Sequence, residues 1–341
     1  MKWLTLTDEE KKLVLRQANT LSGIDQKALE KDWWVTLVLR AIFQTPYAMH
    51  LLFKGGTSLS KSWKLIDRFS EDIDLSIDRA FHGFDEELST SQIKKLKRIS
   101  SAFVSNEFKT AFETELAKLG IPPGMVTITA KPIPELMKDT VDPQELLVEY
   151  PSLLDPVEYL PNTIRIEISA RSLKEPFSIR EIDSLIDEYI PGQDFGGRPF
   201  PVRAIDPEIT MLEKIFLMHE EFTKAPEDTR SLRMSRHLYD LVKLLNSEYA
   251  AKAIFDQALY DKIITHRQHF INQRGIDYSK HSRQTIDFRV PERVIDKYLN
   301  DYQTMRERMI YRPAPSFKEL LDGISELHRQ VSAAFNRDIF W

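Results

Sequence analysis

Two short stretches of the chain hold residues whose types and spacing could bind and activate a phosphate ester. The first is Asp72-Ile73-Asp74. In an extended chain, residues two apart point to the same side, so both carboxylates would project together. A pair of that kind suits a hard divalent cation such as Mg2+, which takes carboxylates, water and substrate phosphates. The second stretch is Gly55-Gly56-Thr57-Ser58. A glycine pair ahead of a helix lets backbone N–H groups approach phosphate oxygens, the helix N-terminus adds its positive dipole end, and Thr57 and Ser58 offer hydroxyl donors. Each stretch has a plainer alternative: a solvated surface for the acids, an ordinary tight turn for the glycines. Neither is a Walker loop or a dinucleotide fingerprint, because the chain has no GK[ST] or GxGxxG at the required spacing.

The elements around these stretches are readable from their periodicity. Residues 69–78 alternate cleanly, with Phe69, Glu71, Ile73, Leu75 and Ile77 on one face and Ser70, Asp72, Asp74, Ser76 and Asp78 on the other. Period two predicts a strand with a buried back. It also puts three like charges on one strand face, which is unfavourable without a cation or cationic partners. Leu51-Leu52-Phe53 suits a short buried strand entering the glycine turn, and residues 57–65 a short helix. Upstream, residues 7–44 read as two helices broken near Ser22-Gly23, with Thr7 and Glu10 spaced as a capping box. Residues 91–119 are helical and charged, with a basic cluster at Lys94, Lys95, Lys97 and Arg98 that reads as a solvated face or an RNA-backbone contact.

Residues 121–161 hold eight of the 18 prolines and predict a loop-rich insertion with one strand near 126–130. Ile164, Ile166 and Ile168 alternate with Arg165, Glu167 and Ser169, predicting another strand. If that strand lies beside the first, Glu167 is the natural third acid. A short strand at 202–205 is followed by Asp206-Pro207-Glu208, a well-formed helix start. From there the pattern is mostly helical. The expected division is therefore 1–205, an α/β domain with N-terminal helices and the Pro-rich insertion, and 206–341, a helical C-terminal domain. Taken together, strand, Gly-Gly-Thr-Ser, short helix and a strand with two acids form the layout of the polymerase-β-like, minimal nucleotidyltransferase fold, an α+β class.

Composition narrows the function further. The 341 residues contain no cysteine, which excludes disulfide scaffolds, thiolate catalysis and cysteine-ligated metals. The eight histidines show no HExxH spacing. No run approaches a membrane span, and Met1-Lys2-Trp3-Leu4 leads into a charged stretch rather than a signal peptide, so a cytoplasmic protein without a membrane partner is expected. The net charge of −5 rules out a generally basic nucleic-acid binder and leaves only a local patch.

The motifs resemble a narrower family. Glu30-Lys31-Asp32, the run Phe53-Lys54-Gly55-Gly56-Thr57-Ser58-Leu59-Ser60-Lys61, and Arg68-Phe69-Ser70-Glu71-Asp72-Ile73-Asp74-Leu75 are similar to the AbiEii-type nucleotidyltransferase toxins of type IV toxin–antitoxin systems, which include the MenT group. Glu213-Lys214-Ile215 and Arg236-His237-Leu238-Tyr239-Asp240-Leu241 resemble that family's later motifs. The resemblance covers roughly residues 25–245. It implies an Mg2+-dependent transfer of NMP from an NTP to a tRNA 3′ end or a protein hydroxyl, and a cognate antitoxin encoded nearby.

Site expectations follow from both readings. Asp72 and Asp74 hold the metal; Gly55, Gly56, Thr57 and Ser58 orient the triphosphate; Lys61 is within reach of a phosphate, and Arg68 and Ser70, which flank the acids, either touch the nucleotide or merely end the helix. Lys214 has Met211, Leu217 and Met218 as helical neighbours, and an ammonium among apolar groups needs an anion, which a phosphate would supply. The family resemblance places Asp240 in the site, whereas spacing alone allows a plain Arg236–Asp240 pair. Glu167 or Asp240 would help deprotonate the acceptor, and Lys214 would put the site in a cleft that the helical domain completes. The alternatives are a catalytically inactive nucleotide- or partner-binding protein of the same fold, or a phosphotransferase.

Overall fold

The structure, a computed structural model, describes residues 1–84, 87–155, 160–173 and 176–334. Residues 156–159 of the expected insertion and 335–341 of the expected helical domain lie outside the described residues. The chain divides into two compact units, one holding Met1–Trp63 and Phe69–Ile205, the other Lys64–Arg68 and the chain from Asp206 onward.

The first unit opens with α1 (Asp8–Ser22) and α2 (Gln26–Ile42). Thr7 and Glu10 form the capping box of α1, and Gly23 ends it at φ 73°, a left-handed conformation that a Cβ disfavours. Residues 27–42 of α2 are all buried, Glu30, Lys31, Asp32 and Arg40 included, so this helix is central rather than amphipathic. There follow β1 (Leu51–Lys54), α3 (Gly55–Lys61) and β2 (Ile73–Ile77). Next, α4 (Thr90–Phe103) runs through a π turn at Val104–Phe108 into α5 (Lys109–Lys118). The remaining elements are β3 (Thr127–Ala130), β4 (Gln144–Glu149), β5 (Thr163–Ser169), β6 (Phe177–Ile182), α6 (Leu185–Tyr189) and β7 (Phe200–Ile205).

The seven strands form one mixed sheet in the order β3-β4-β5-β2-β1-β7-β6. β2 runs parallel to β5 and β1 parallel to β7, while the other neighbours are antiparallel. One face is a dry apolar layer built from Ile73, Leu75 and Ile77 of β2, Ile164, Ile166 and Ile168 of β5, and Leu146 and Val148 of β4, all buried. The opposite face of β2 and β5 carries the polar residues of both strands, as the alternation predicts.

The structure corrects three local expectations. β2 is five residues long, Ile73–Ile77, rather than ten: β1 pairs with it from Ile77 back to Asp74, and β5 from Ser76 back to Ile73. The residues just before it are tied by side chains, Thr57 to Ser70 and to the Asp72 carbonyl and Lys31 to Glu71. The short helix begins at Gly55 and ends at Lys61, so the glycine pair forms its first turn rather than preceding it. The insertion holds two strands, not one: β4 pairs with both β3 and β5. Its Leu147 stands where a polar residue would have made the alternation legible.

The second unit is helical: α7 (Pro207–Phe222), α8 (Ser235–Leu245), α9 (Ala250–Phe255), α10 (Gln257–His266), α11 (Ile295–Arg308) and α12 (Phe317–Ala334). Pro207 opens α7 after Asp206, although the Asp206 side chain makes no capping hydrogen bond. α8 packs against α7, α11 and α12. The excursion Lys64–Arg68 joins this unit: Arg68 forms a β-bridge with Ile310, and Tyr311 N–H donates to the Asp67 carbonyl at 3.2 Å. No helix among the described residues is long and apolar enough to cross a membrane.

Candidate active site

The acids come together through strand register. Asp74 pairs with Lys54 across the β1–β2 ladder and with Glu167 across the parallel β2–β5 ladder, and Glu167 pairs in turn with Glu145 of β4. Residues opposite one another in a ladder point to the same side, so Lys54, Asp74, Glu167 and Glu145 form one row across four strands. Asp72, two residues before Asp74, lies just ahead of β2, and both aspartates are half-buried. The expectation that Glu167 lies beside the first pair of acids therefore describes the geometry. Lys54 and Glu145 were not anticipated. Lys54 had a signal, since it ends the apolar run directly before the glycines; Glu145 had none until β4 was located.

Electrostatics follow from this crowding. Burial, then the charges of Asp74, Asp72 and Glu145, push the Glu167 carboxyl up to about 7, with Arg165 opposing. A carboxyl whose proton affinity is raised by the carboxylates around it marks an environment that favours a cation. Asp72 and Asp74 fit Mg2+, which commonly takes one or two protein carboxylates and completes its shell with water and phosphate. Among the described residues, no cluster of three or more His, Cys, Asp or Glu is arranged to hold a metal ion by itself.

The turn is shaped around Asp74. Gly55 adopts φ +77°, and a Cβ there would stand 2.0 Å from Asp74 Oδ2. Both the backbone conformation and the space thus demand glycine. Thr57 is buried and its hydroxyl engages Ser70 Oγ at 2.9 Å and the carbonyl oxygen of Asp72. It fixes the segment that carries the acids instead of standing open as a donor. Ser58 is 2% exposed, its Oγ without a hydrogen-bond partner among the described residues.

Other expected residues sit in buried ion pairs. Lys61 binds Asp32 Oδ1 at 2.6 Å, and Asp32 Oδ2 accepts from Leu185 N–H at 2.7 Å. Lys31 reaches Glu71 at 2.5 Å and donates to the Pro161 carbonyl at 2.7 Å. Glu30 accepts from Leu153 N–H at 2.7 Å. The Glu30-Lys31-Asp32 motif therefore ties α3, the start of α6, the stretch from Leu153 to Pro161 and the residue directly before Asp72 to the central helix.

In the second unit, Asp240 is fully buried and accepts both Nε and Nη2 of Arg68 at 2.7 Å. Lys214 Nζ lies 3.0 Å from Asp240 Oδ2 and 3.3 Å from His237 Nδ1. The anion expected beside Lys214 is thus supplied within the fold, and Asp240 is held by two long-range cations, Arg68 and Lys214. Burial raises the Asp240 proton affinity, but Arg68 and Lys214 outweigh it and hold the carboxyl below its usual range. Burial also lowers the Lys214 pKa, against the attraction of Asp240.

Comparison with known proteins agrees with the motifs. The family model described as nucleotidyl transferase AbiEii toxin, type IV toxin–antitoxin system, matches residues 37–323. Among solved structures, the chain is similar to MenT4, a nucleotidyltransferase toxin from Mycobacterium tuberculosis, at 16% identity over 97% of this chain and 88% of that one, with a TM-score of 0.49. It is also similar to JHP933 from Helicobacter pylori, at 14% identity over 93% of this chain and 96% of that one, with a TM-score of 0.47. No curated protein matches the chain.

Proposed function

The chain belongs to the AbiEii family of type IV nucleotidyltransferase toxins, and on that premise we propose that it transfers a nucleoside monophosphate from an NTP to an acceptor hydroxyl, with RNA 3′ ends as the acceptor class. The observation that carries this reading is the register of Asp74 with Glu167, with Asp72 two residues away and Glu167 poised near 7. Asp72 and Asp74 would hold a divalent cation, which would supply positive charge to offset the negative charge developing on the leaving pyrophosphate. Glu167 accepts the acceptor's proton as its oxygen attacks the α-phosphorus and the bond to pyrophosphate breaks. A base near the working pH suits that role. Asp240, held acidic by two cations, is the weaker candidate of the two carboxylates, so the base assignment goes to Glu167. Gly55 keeps the first turn of α3 open against Asp74, and Lys54 places a cation beside the acids for a substrate phosphate.

The test is incubation of the full chain with each α-labelled NTP, Mg2+ and either total RNA or total protein. Labelled RNA with pyrophosphate release is the expected result. Labelled protein moves the acceptor assignment, and release of ADP in place of pyrophosphate overturns nucleotidyl transfer in favour of phosphoryl transfer. Asp74→Asn should abolish labelling with the fold intact, because an amide is a much weaker Mg2+ ligand. Lys54→Met should raise the NTP KM more than it lowers kcat.

A further inference from the structure

Helix α4 carries a feature that the acid row does not use. Lys94, Lys95, Lys97 and Arg98 fall within Thr90–Phe103, a helix that contains no acidic residue. At 3.6 residues per turn the four cations spread over about 160° of helix surface, opposite the buried Ile93, Leu96 and Phe103. Lys94, Lys95 and Arg98 are exposed, and Lys97 is half-buried. Burial and then the charge of Arg171 lower the Lys97 pKa, against the pull of Asp142.

The charges that act on Lys97, Arg171 and Asp142, are tied to the strand that carries Glu167. Ser169 lies on the same side of β5 as Glu167, two residues or about 7 Å along the strand. Its hydroxyl donates to Asp142 Oδ2 at 2.7 Å, and the same oxygen accepts from Arg171 Nε at 2.6 Å. Asp142 thus answers the Arg171 charge, and Arg98 lies 3.8 Å from Asp139, both side chains at least half exposed. Such a pair contributes little in water. Lys94, Lys95, Lys97 and Arg98 therefore concentrate positive charge on one helix of a chain whose net charge is −5.

We propose that the Lys94–Arg98 face of α4 binds the sugar–phosphate backbone of the RNA acceptor and delivers its terminal hydroxyl toward Glu167. This rests on the nucleotidyl-transfer reading above for its purpose. The exposed side of α4 offers Ser91, Gln92, Lys94, Lys95, Arg98 and Ala102, with no aromatic or large apolar anchor. Protein interfaces concentrate their energy in such anchors and deplete lysine, whereas a phosphate backbone needs only arrayed cations.

The test is binding of a fluorescent single-stranded RNA oligonucleotide to the full chain without NTP or Mg2+, across a salt series, for the wild type and for Lys94→Gln/Lys95→Gln/Arg98→Gln. All three sites are exposed and glutamine is a good helix former, so an unchanged melting temperature is the control. Loss of three phosphate contacts should weaken binding at least tenfold at low salt and flatten the log–log salt slope by about 2. Equal affinity and slope for both proteins overturn the surface. Competition by polyglutamate as effective as by RNA also overturns it and points to an acidic protein. Because no chemistry is read, RNA binding lost in the variant while the wild type releases no pyrophosphate would keep the surface and sink the transfer reaction. Pyrophosphate release by a wild type that binds no RNA would do the reverse.

Discussion

Gly55 shows how narrowly a single position can be determined. Its φ of +77° and the 2.0 Å gap between a built Cβ and Asp74 Oδ2 act together. Gly55→Ala should lower stability by about 1–3 kcal/mol and reduce turnover at least a hundredfold, because relief of the overlap must displace Asp74. A melting curve and the labelling assay on one preparation check both; full activity would remove Gly55 from the architecture of the acids. Glu167 gives a prediction with a sign. Its folded-state pKa of about 7 lies above the ordinary 4.5, so the folded chain binds the proton more tightly than the unfolded chain. Its contribution to stability is fully present below about 4.5 and is lost as pH rises through 7. Glu167→Gln should melt like the wild type at pH 5. At pH 8 without divalent metal it should be more stable, by about 1–2 kcal/mol for a side chain that solvent still reaches. A wild type that matches the variant at pH 8 would show that the crowding of acids is relieved by other means.

At the scale of elements, α2 acts as the post to which the site segments are tied. Lys31 holds Glu71, Asp32 holds Lys61 of α3 and the start of α6, and Glu30 holds Leu153. Removing one partner of a buried pair leaves an uncompensated charge, which costs far more than the pair contributes. Asp32→Ala should therefore cost about 3–5 kcal/mol in denaturant unfolding, and adding Lys61→Met should recover much of that loss. A single variant no worse than an ordinary surface substitution, about 0.5 kcal/mol, would show that the tie is dispensable. The same element explains why Lys61 looked available in the sequence. A lysine seven residues past Lys54 on a short helix is within reach of a phosphate, and only the packing of α3 on the strands and α2 shows its charge taken by Asp32.

At the scale of the whole chain, Arg68, Lys214 and Asp240 were drawn from three distant motifs and form one buried cluster. Asp240 is held by Arg68 in a bidentate pair, so Lys214 is not needed to neutralise it. Lys214→Met should leave apo stability unchanged or raised, since it removes a desolvated ammonium. If the same ammonium also meets a substrate phosphate, turnover falls by orders of magnitude in that variant. Retained turnover would confine Lys214 to the cluster. Asp240→Asn, by contrast, should destabilise the fold strongly, because two buried cations would lose their carboxylate.

What the amino-acid order determined by itself is local. The alternation through Ile73, Leu75 and Ile77 set which side Asp72 and Asp74 face, the Thr7–Glu10 box and Gly23 bounded α1, and the motif spacing pointed to the family. Period and capping depend on neighbours a few residues away, so they are written in the chain. Only the tertiary structure decided which strand lies beside β2, hence that Glu167 meets Asp74 and that Glu145 joins the row. It also decided that β2 begins only at Ile73, and that Thr57, Lys61, Arg68 and Asp240 spend their polar groups inside the protein. Ladder register and buried ion pairs join residues tens to hundreds of positions apart. Their partners are chosen by packing, and no local spacing in the sequence records that choice.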